Sequence, residues 1–287
     1  METETLVNII MYHDSKRGET VMKSEDYWIN KRTKMKDGVY TGYYKNGIIS
    51  TIRTYHKNKL HGRVENYNRN GNLISMIEYH YGKYHGRKQI WEYGKIDQDY
   101  EYVDNQLHGI ALDYKDGEIL FSTLYVDGLM VRQLCYHWNG ILKSDIEYYP
   151  NKFVKKINVL NDSAGRDCIL GDGVVYGWKV CKVGATFVYV KLKVPGAAQR
   201  VTPIDQGDAF ISRVEYAITE KIFDAKGKEY KEAKSYLIYN KILTYKVNST
   251  VHPDKFDPSL DNNSSCGINM HKYKDQCDIW IRSNFHS

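Results

Sequence analysis

From Gly47 to Tyr148 the chain alternates apolar and polar positions in a pattern that restarts five times. Each restart is a glycine followed eight residues later by a tyrosine: Gly47 with Tyr55, Gly71 with Tyr79, Gly94 with Tyr102, Gly117 with Tyr125 and Gly140 with Tyr148. Successive glycines lie 24, 23, 23 and 23 residues apart. A fixed period in this range marks a stacked repeat array, in which each unit buries its apolar face only against its neighbours. Two residues after the glycine stand Ile49, Leu73, Ile96, Ile119 and Leu142, while Glu78, Glu101 and Glu147 occupy plus seven and Asp99 and Asp145 plus five. Strict alternation puts the aliphatics on the face of the plus-eight tyrosines and the acids on the other, and a one-residue slip would exchange the two.

A second marker interleaves with the first. His61-Gly62, His85-Gly86 and His108-Gly109 each follow a signature tyrosine by six and seven residues, and Asp37-Gly38 fits the same register one period earlier. Five residues after each of these glycines comes an aromatic: Tyr43, Tyr67, Trp91 and Tyr114. One unit therefore reads as a β-hairpin with two Gly-bearing turns. The units predict a long, twisted antiparallel meander over residues 18–157, after an N-terminal cap at 1–17. At roughly 4.8 Å per strand, five units extend about 50 Å.

The stretches Asn46-Gly-Ile-Ile, Asn70-Gly-Asn-Leu and Asn139-Gly-Ile-Leu, with Lys59-Leu-His-Gly and Tyr84-His-Gly, resemble MORN repeats, most closely the variant form common in bacterial and giant-virus proteins. No His-Gly follows Tyr125, where Met130-Val-Arg stands instead, so irregular or capping units are expected at both ends. The resemblance implies protein binding or contact with phosphoinositide membranes.

Composition sharpens this picture. The chain has 26 tyrosines against 7 phenylalanines, which suits half-buried β faces because a tyrosine offers an apolar ring and a wet hydroxyl. Its five cysteines are odd in number, scattered and without a C-x-x-C pair, which argues against a disulfide framework and a zinc site and suits a reducing compartment. The start is acidic where a secretory signal is basic, and no apolar run approaches the length of a membrane span, so a soluble intracellular protein is expected. The net charge of +6 hides an asymmetry: Lys31 to Lys95 holds 14 Lys/Arg against 4 acids, and Asp97 to Glu147 holds 3 bases against 10 acids. Charge of opposite sign in the two halves steers partners and can pair two copies head to tail.

Tyr67, Trp91 and Tyr114 are the candidate aromatic anchors of a binding surface, with Arg63, Arg87 and Lys88 beside them as steering charges. The competing reading is that most of the tyrosines only pack on one another as cross-strand ladders. The basic half could also meet anionic lipid, though no amphipathic basic helix supports insertion. Nucleic acid ranks lower, since no recognition motif accompanies the lysines and an acidic half follows them. His61, His85 and His108 are spaced about 10 Å apart by the unit repeat. That is too far for one zinc ion, so they read as turn residues whose rings pack on the next hairpin.

Residues 164–287 lose the period and read as a β-rich α+β domain, with strands at Phe187–Val194, Tyr236–Tyr239 and Leu243–Val247. A strand or helix is expected over Ser212–Phe223, and a short helix near Lys272–Trp280. Tyr189-Val-Lys-Leu-Lys-Val-Pro, Val251-His-Pro-Asp-Lys-Phe-Asp-Pro and Ser265-Cys-Gly-Ile-Asn resemble a domain of unknown function of giant-virus and microbial repeat proteins. Its usual ending is Cys-x-x-Gly-Ile-His; here the spacing is shorter and Asn269 replaces that histidine. The joint architecture is similar to MORN-repeat proteins of marseillevirus-like large DNA viruses, which implies a virion or the infected host's cytoplasm or nucleus.

His252, Asp254 and Asp257 lie in one Pro-bounded loop, beside Cys266 and His271 in sequence, but nothing shows them converging as a nucleophile pair or metal site. Asp254 and Asp257 read instead as turn caps. Gly171-Asp-Gly173 lacks the Lys-Ser/Thr of a phosphate loop. A faint likeness to the late strand of ADP-ribosyltransferases supplies the enzymatic alternative, without an assignable catalytic set. The sequence thus predicts a mainly β, elongated hairpin array followed by an α+β domain. Its function reads as non-enzymatic interaction or scaffolding, with no cofactor, no metal and no catalytic residue assigned.

Overall fold

The computed structural model describes residues 5–14, 22–204, 210–236, 242–261 and 265–285. Contacts divide the chain into two compact units, the first holding residues 1–140 and 150–152 and the second 141–149 and 153–287.

The first unit is a run of antiparallel strands. They are β1 (Leu6–Tyr12), β2 (Lys23–Asn30), β3 (Lys36–Tyr43), β4 (Ile49–His56), β5 (Lys59–Tyr67), β6 (Leu73–His80), β7 (Lys83–Glu92), β8 (Lys95–Val103), the short β9 (Gln106–Leu107), β10 (Gly109–Lys115), β11 (Glu118–Val126) and β12 (Leu129–Tyr136). Each hydrogen-bonds to the next in chain order, except that β8 pairs with both β9 and β10. The mainly β hairpin array expected from the period is what forms.

Its turns differ from the expected ones on one side. Two-residue turns at Lys57-Asn58, Tyr81-Gly82, Asp104-Asn105 and Asp127-Gly128 have positive φ at both positions, the type I′ geometry that matches strand twist. The His-Gly pairs are therefore not turns: Gly62 and Gly86 lie inside β5 and β7. At Gly86 the reason for glycine is double. Its φ is +102°, and a Cβ would collide with the Glu78 carboxylate, which accepts the Arg87 backbone N–H at 2.9 Å.

The faces also differ from simple alternation. Asn66 pairs with Ser75 but Tyr67 pairs with Leu73, so one extra residue bulges out of β6; the same step separates Ile90–Gln98 from Trp91–Ile96 and Asp113–Phe121 from Tyr114–Ile119. A bulge of one residue reverses the in-out phase. Leu73, Ile96 and Ile119 thus share the face of the acids at plus five and plus seven, not that of the signature tyrosines. Asp99, expected on an open polar face, is only 7 % exposed.

Within this unit no second layer covers the sheet among the described residues, and its buried apolar side chains are few: Val64, Met76 and Ala111. Ladders of long side chains replace a core. On the tyrosine face Tyr79, Tyr84 and Tyr102 pack with ring centroids 5.1 and 5.4 Å apart, and Tyr27, Tyr40 and Tyr55 with centroids 5.8 and 6.2 Å apart, the rings tilted or edge-on to one another. Lys36 lies over the rings of Tyr27 and Tyr40, 4.5 Å from each. Such cross-strand pairs contribute roughly 0.2–1 kcal/mol each.

The second unit has a conventional core. A hairpin, β13 (Leu142–Tyr148) and β14 (Val154–Leu160), precedes β15 (Val175–Val183), β16 (Thr186–Val194), β17 (Arg200–Val201), β18 (Ser212–Val214), β19 (Ala217–Asp224), β20 (Glu232–Ser235), β21 (Thr244–Lys246), β22 (Thr250–Val251), β23 (Ile268–Met270) and one helix, α1 (Lys274–Phe285). A six-stranded sheet runs β21-β20-β15-β16-β19-β22, and β17-β18-β23 form a second. The span Ser212–Phe223 is two strands and not a helix; the expected strand Tyr236–Tyr239 falls mostly on residues outside the described ones, after β20.

Alternation along β15 and β16 places Val180 and Tyr189 against Cys277, Trp280 and Ile281 of α1. The intervening Cys181, Val188, Val190 and Leu192 pack with Val214, Ile268 and Met270. Gln276 fixes the helix start by accepting the Tyr273 backbone N–H at 3.1 Å.

Gly86→Ala is expected to destabilise the chain by about 1–3 kcal/mol, the range for strained backbone, in urea unfolding followed by circular dichroism. Gly94→Ala, with φ +78° but open space around its Cβ, should cost less; equal costs would show that the Glu78 contact is unimportant.

Candidate functional site

Two regions carry the groups from which a site could be built, one in each unit. On the array, residues two apart in a strand share a face. Tyr67, Trp91 and Tyr114 accordingly lie together with Arg63 and Arg87, while Lys88, next to Arg87, points to the tyrosine face, 5.9 Å from the Tyr100 ring centre.

The two arginines are committed to their own sheet. Arg87 holds Asp99 with both ends of its guanidinium, Nε to Oδ1 at 2.6 Å and the second nitrogen to Oδ2. That bond raises the arginine's pKa above its ordinary value. Arg63 reaches Glu65 at 3.7 Å and Glu78 at 3.6 Å. Tyr67 donates to Glu65 at 2.7 Å, which, with burial, pushes its hydroxyl up to about 12. The expected steering charges at Arg63 and Arg87 are therefore parts of an ion-pair ladder. Lys45, Lys57, Lys59 and Arg69, at the turns, have no carboxylate partner among the described residues.

Exposed apolar side chains flank the ladder on its own face: Val39 and Trp28 toward β2, and Ile110 and Leu124 toward β11. Ile110 is 57 % exposed. The histidines also differ from the sequence expectation. His56 and His80 fill the gaps between units, so His56, His61, His80 and His85 form a row with ring centres 5.9, 5.0 and 5.4 Å apart. No three His, Cys, Asp or Glu side chains among the described residues are placed to hold one metal ion.

In the second unit the five residues weighed for Cys–His or metal chemistry do not converge. His252 stacks on Tyr216 at 5.3 Å. Asp257 caps a turn by accepting the Ser259 N–H at 2.9 Å, and fully buried Arg213 donates to the carbonyls of Asp257 and Ser259. Arg200 ties down Gly171-Asp-Gly173 through the carbonyls of Gly171 and Gly173.

His271 goes elsewhere. It forms a two-residue bridge with Trp178 on the edge of β15. The chains can approach there because position 177 is glycine, whose Cβ would collide with Met270. β20 pairs with the same edge at Cys181 and Lys182. Between the two pairings, at Lys179 and Val180, the edge has no strand partner among the described residues, and a cavity of about 390 Å³, counting the solvent in its mouth, opens there. Lys179, Asn269 and His271 make its polar side, and Ile211, Tyr236 and Trp280 its apolar one.

Lys179 is 7 % exposed, and its ammonium donates to the Asn269 carbonyl at 2.7 Å. Burial pushes its pKa below the ordinary lysine value. The neighbouring Cys181 thiol is pushed up to about 12, also by burial, and so stays uncharged. His271 Nδ1 faces the Phe210 carbonyl at 2.9 Å and must donate to it, which leaves Nε2 as an acceptor. Burial lowers this imidazole to about 4. The Asn269 side-chain oxygen is buried without a donor.

Sequence reasoning noted Asn269 only as a replaced histidine and missed Lys179. The signal for Lys179 was present: in Val175–Val183 it occupies the inward phase of Gly177 and Cys181.

A family of unknown function, DUF5758, matches residues 166–277, which include all of the cavity's polar groups. No curated protein matches the chain.

Because the folded chain holds His271 neutral down to about pH 4 whereas an unfolded histidine takes up its proton near 6.5, the unfolded state binds more protons in between. Stability should fall by roughly 3 kcal/mol as pH drops through that window. Urea unfolding of wild type and His271→Asn at pH 7 and 4.5 isolates the effect; an unchanged difference between the two proteins would exclude it.

Proposed function

We propose that this chain is a non-enzymatic interaction protein in which the MORN-type hairpin array is the recognition surface and the C-terminal domain an accessory module. Its viral setting is inferred from the resemblance: a virion or early-infection factor of a large DNA virus, working among host or viral proteins. The single observation that carries the reading is the array's one-layer build. A sheet that spends its arginines and tyrosines on internal ladders, yet leaves Trp28, Val39, Ile110 and Leu124 exposed on one face, offers an extended surface and no enclosed reaction space. The partner class follows from the unpaired lysines at the turns, which favour an acidic protein surface. Two copies joined through their oppositely charged halves remain compatible with the same chemistry. No helix among the described residues is long and apolar enough to cross a membrane, and anionic lipid stands behind protein as a partner because no inserting segment accompanies the basic residues.

The test is capture from infected and uninfected host lysate by the full chain, quantified by mass spectrometry. Ile110→Asp with Leu124→Asp, and separately Lys57→Glu with Lys59→Glu, should each reduce specific capture by about tenfold, a loss of roughly 1.4 kcal/mol. An unchanged partner set in both variants would reject the array as the surface. Covalent labelling of lysate proteins that depends on added NAD would instead favour the ADP-ribosyltransferase alternative.

A further inference from the structure

The cavity at the open edge of β15 has a charge problem that a ligand would solve. Lys179 is buried with one hydrogen bond to a neutral carbonyl, and no carboxylate pairs with it among the described residues. A buried ammonium without a counter-ion is unfavourable, so these groups by themselves leave either an uncompensated charge or a neutral amine. Nothing in the packing forces a lysine there: the residues of like phase on β15 are Gly177 and Cys181. A leucine or methionine would bury the same stem with no such cost.

The rest of the wall states what the counter-ion must look like. Asn269 Oδ1 is a buried acceptor lacking a donor, and His271 Nε2 is an acceptor because Nδ1 donates to Phe210. Two acceptors beside one cation require a ligand that brings a negative group and an N–H or O–H close to it. The single lysine matches a single negative charge. A phosphate near charge −2 would remain undercompensated, since His271 is neutral and no arginine lines the space. The indole of Trp280 and the ring of Tyr236 with Ile211 supply an apolar wall.

We propose that this cavity binds a small, flat organic carboxylate bearing an adjacent N–H or O–H donor, its carboxylate on Lys179, its donor on Asn269 Oδ1 or His271 Nε2, and its ring against Trp280. Binding restores the ammonium's partner, so where the empty site holds a neutral amine, complex formation takes up a proton.

Titration calorimetry on the full chain with indole-2-carboxylate as probe tests this against two near-isosteres: indole-2-carboxamide, which lacks the charge, and 2-naphthoate, which lacks the N–H. The carboxylate should bind with sub-millimolar affinity and both isosteres about tenfold or more weakly. Lys179→Met should abolish binding. Asn269→Asp, which keeps the shape but sets a negative charge against the ligand, should abolish it too, and serves if the lysine variant does not fold. Equal affinity for all three probes, binding retained in a folded Lys179→Met or in Asn269→Asp, or no heat from any probe at millimolar concentration would each overturn the proposal. Because the array plays no part in this site, Lys57→Glu with Lys59→Glu should leave probe binding unchanged, so the outcome is independent of the interaction role proposed above.

Discussion

A sheet with no second layer has to find its packing within its own plane, and that constraint governs the first unit. The three buried apolar side chains among the described residues cannot hold so many strands together. The work passes to rows of long side chains running across the strands: tyrosine rings on one face and the Glu65–Arg63–Glu78 and Arg87–Asp99 pairs on the other. Each contact is small, and their sum depends on every strand keeping register. The bulge beside each aromatic at Tyr67, Trp91 and Tyr114 and the paired positive-φ turns set that register locally, hairpin by hairpin.

The same constraint decides which charges are available to a partner. Arginines inside strands face neighbours one strand spacing away, and the period supplies acids there, so Arg63 and Arg87 become structural. Among the residues at the turns, Lys83 pairs with Asp104 and Lys95 donates to the Asp116 carbonyl, whereas Lys45, Lys57 and Lys59 have no carboxylate partner among the described residues. The opposite charge of the two halves is therefore partly consumed where they meet, in Lys83–Asp104 and Arg87–Asp99, and what is left for recognition lies along the rim and on the exposed Trp28, Val39, Ile110 and Leu124.

The second unit follows ordinary rules, with two packed faces on one sheet, and this makes its departures informative. Asn269 Oδ1 is buried without a donor beside the cavity, as Thr219 Oγ1 and the Tyr245 hydroxyl are elsewhere in the unit, and Lys179 is buried there with only a neutral carbonyl for its ammonium. His271 is fixed there by its bridge to Trp178, and the Lys179 ammonium is tied to the backbone carbonyl of Asn269.

The repeat period, the strand content and the change of architecture after the array were legible in the chain because period-two and 23-residue regularities are local properties. So was the half-buried character of the tyrosines. The phase of Leu73, Ile96 and Ile119 was not, since a one-residue bulge is indistinguishable in sequence from uninterrupted alternation and reverses everything beyond it. Nor was the histidine row, because His56 and His80 join His61 and His85 only once the strands pair. The cavity lay furthest from view: Lys179, Asn269 and His271 are up to 92 residues apart in the chain, and only the tertiary approach of β23 to the edge of β15 brings a buried amine without a counter-ion and two acceptors to one space. Local geometry was written in the spacing of residues; convergence of distant polar groups depends on packing that no spacing encodes.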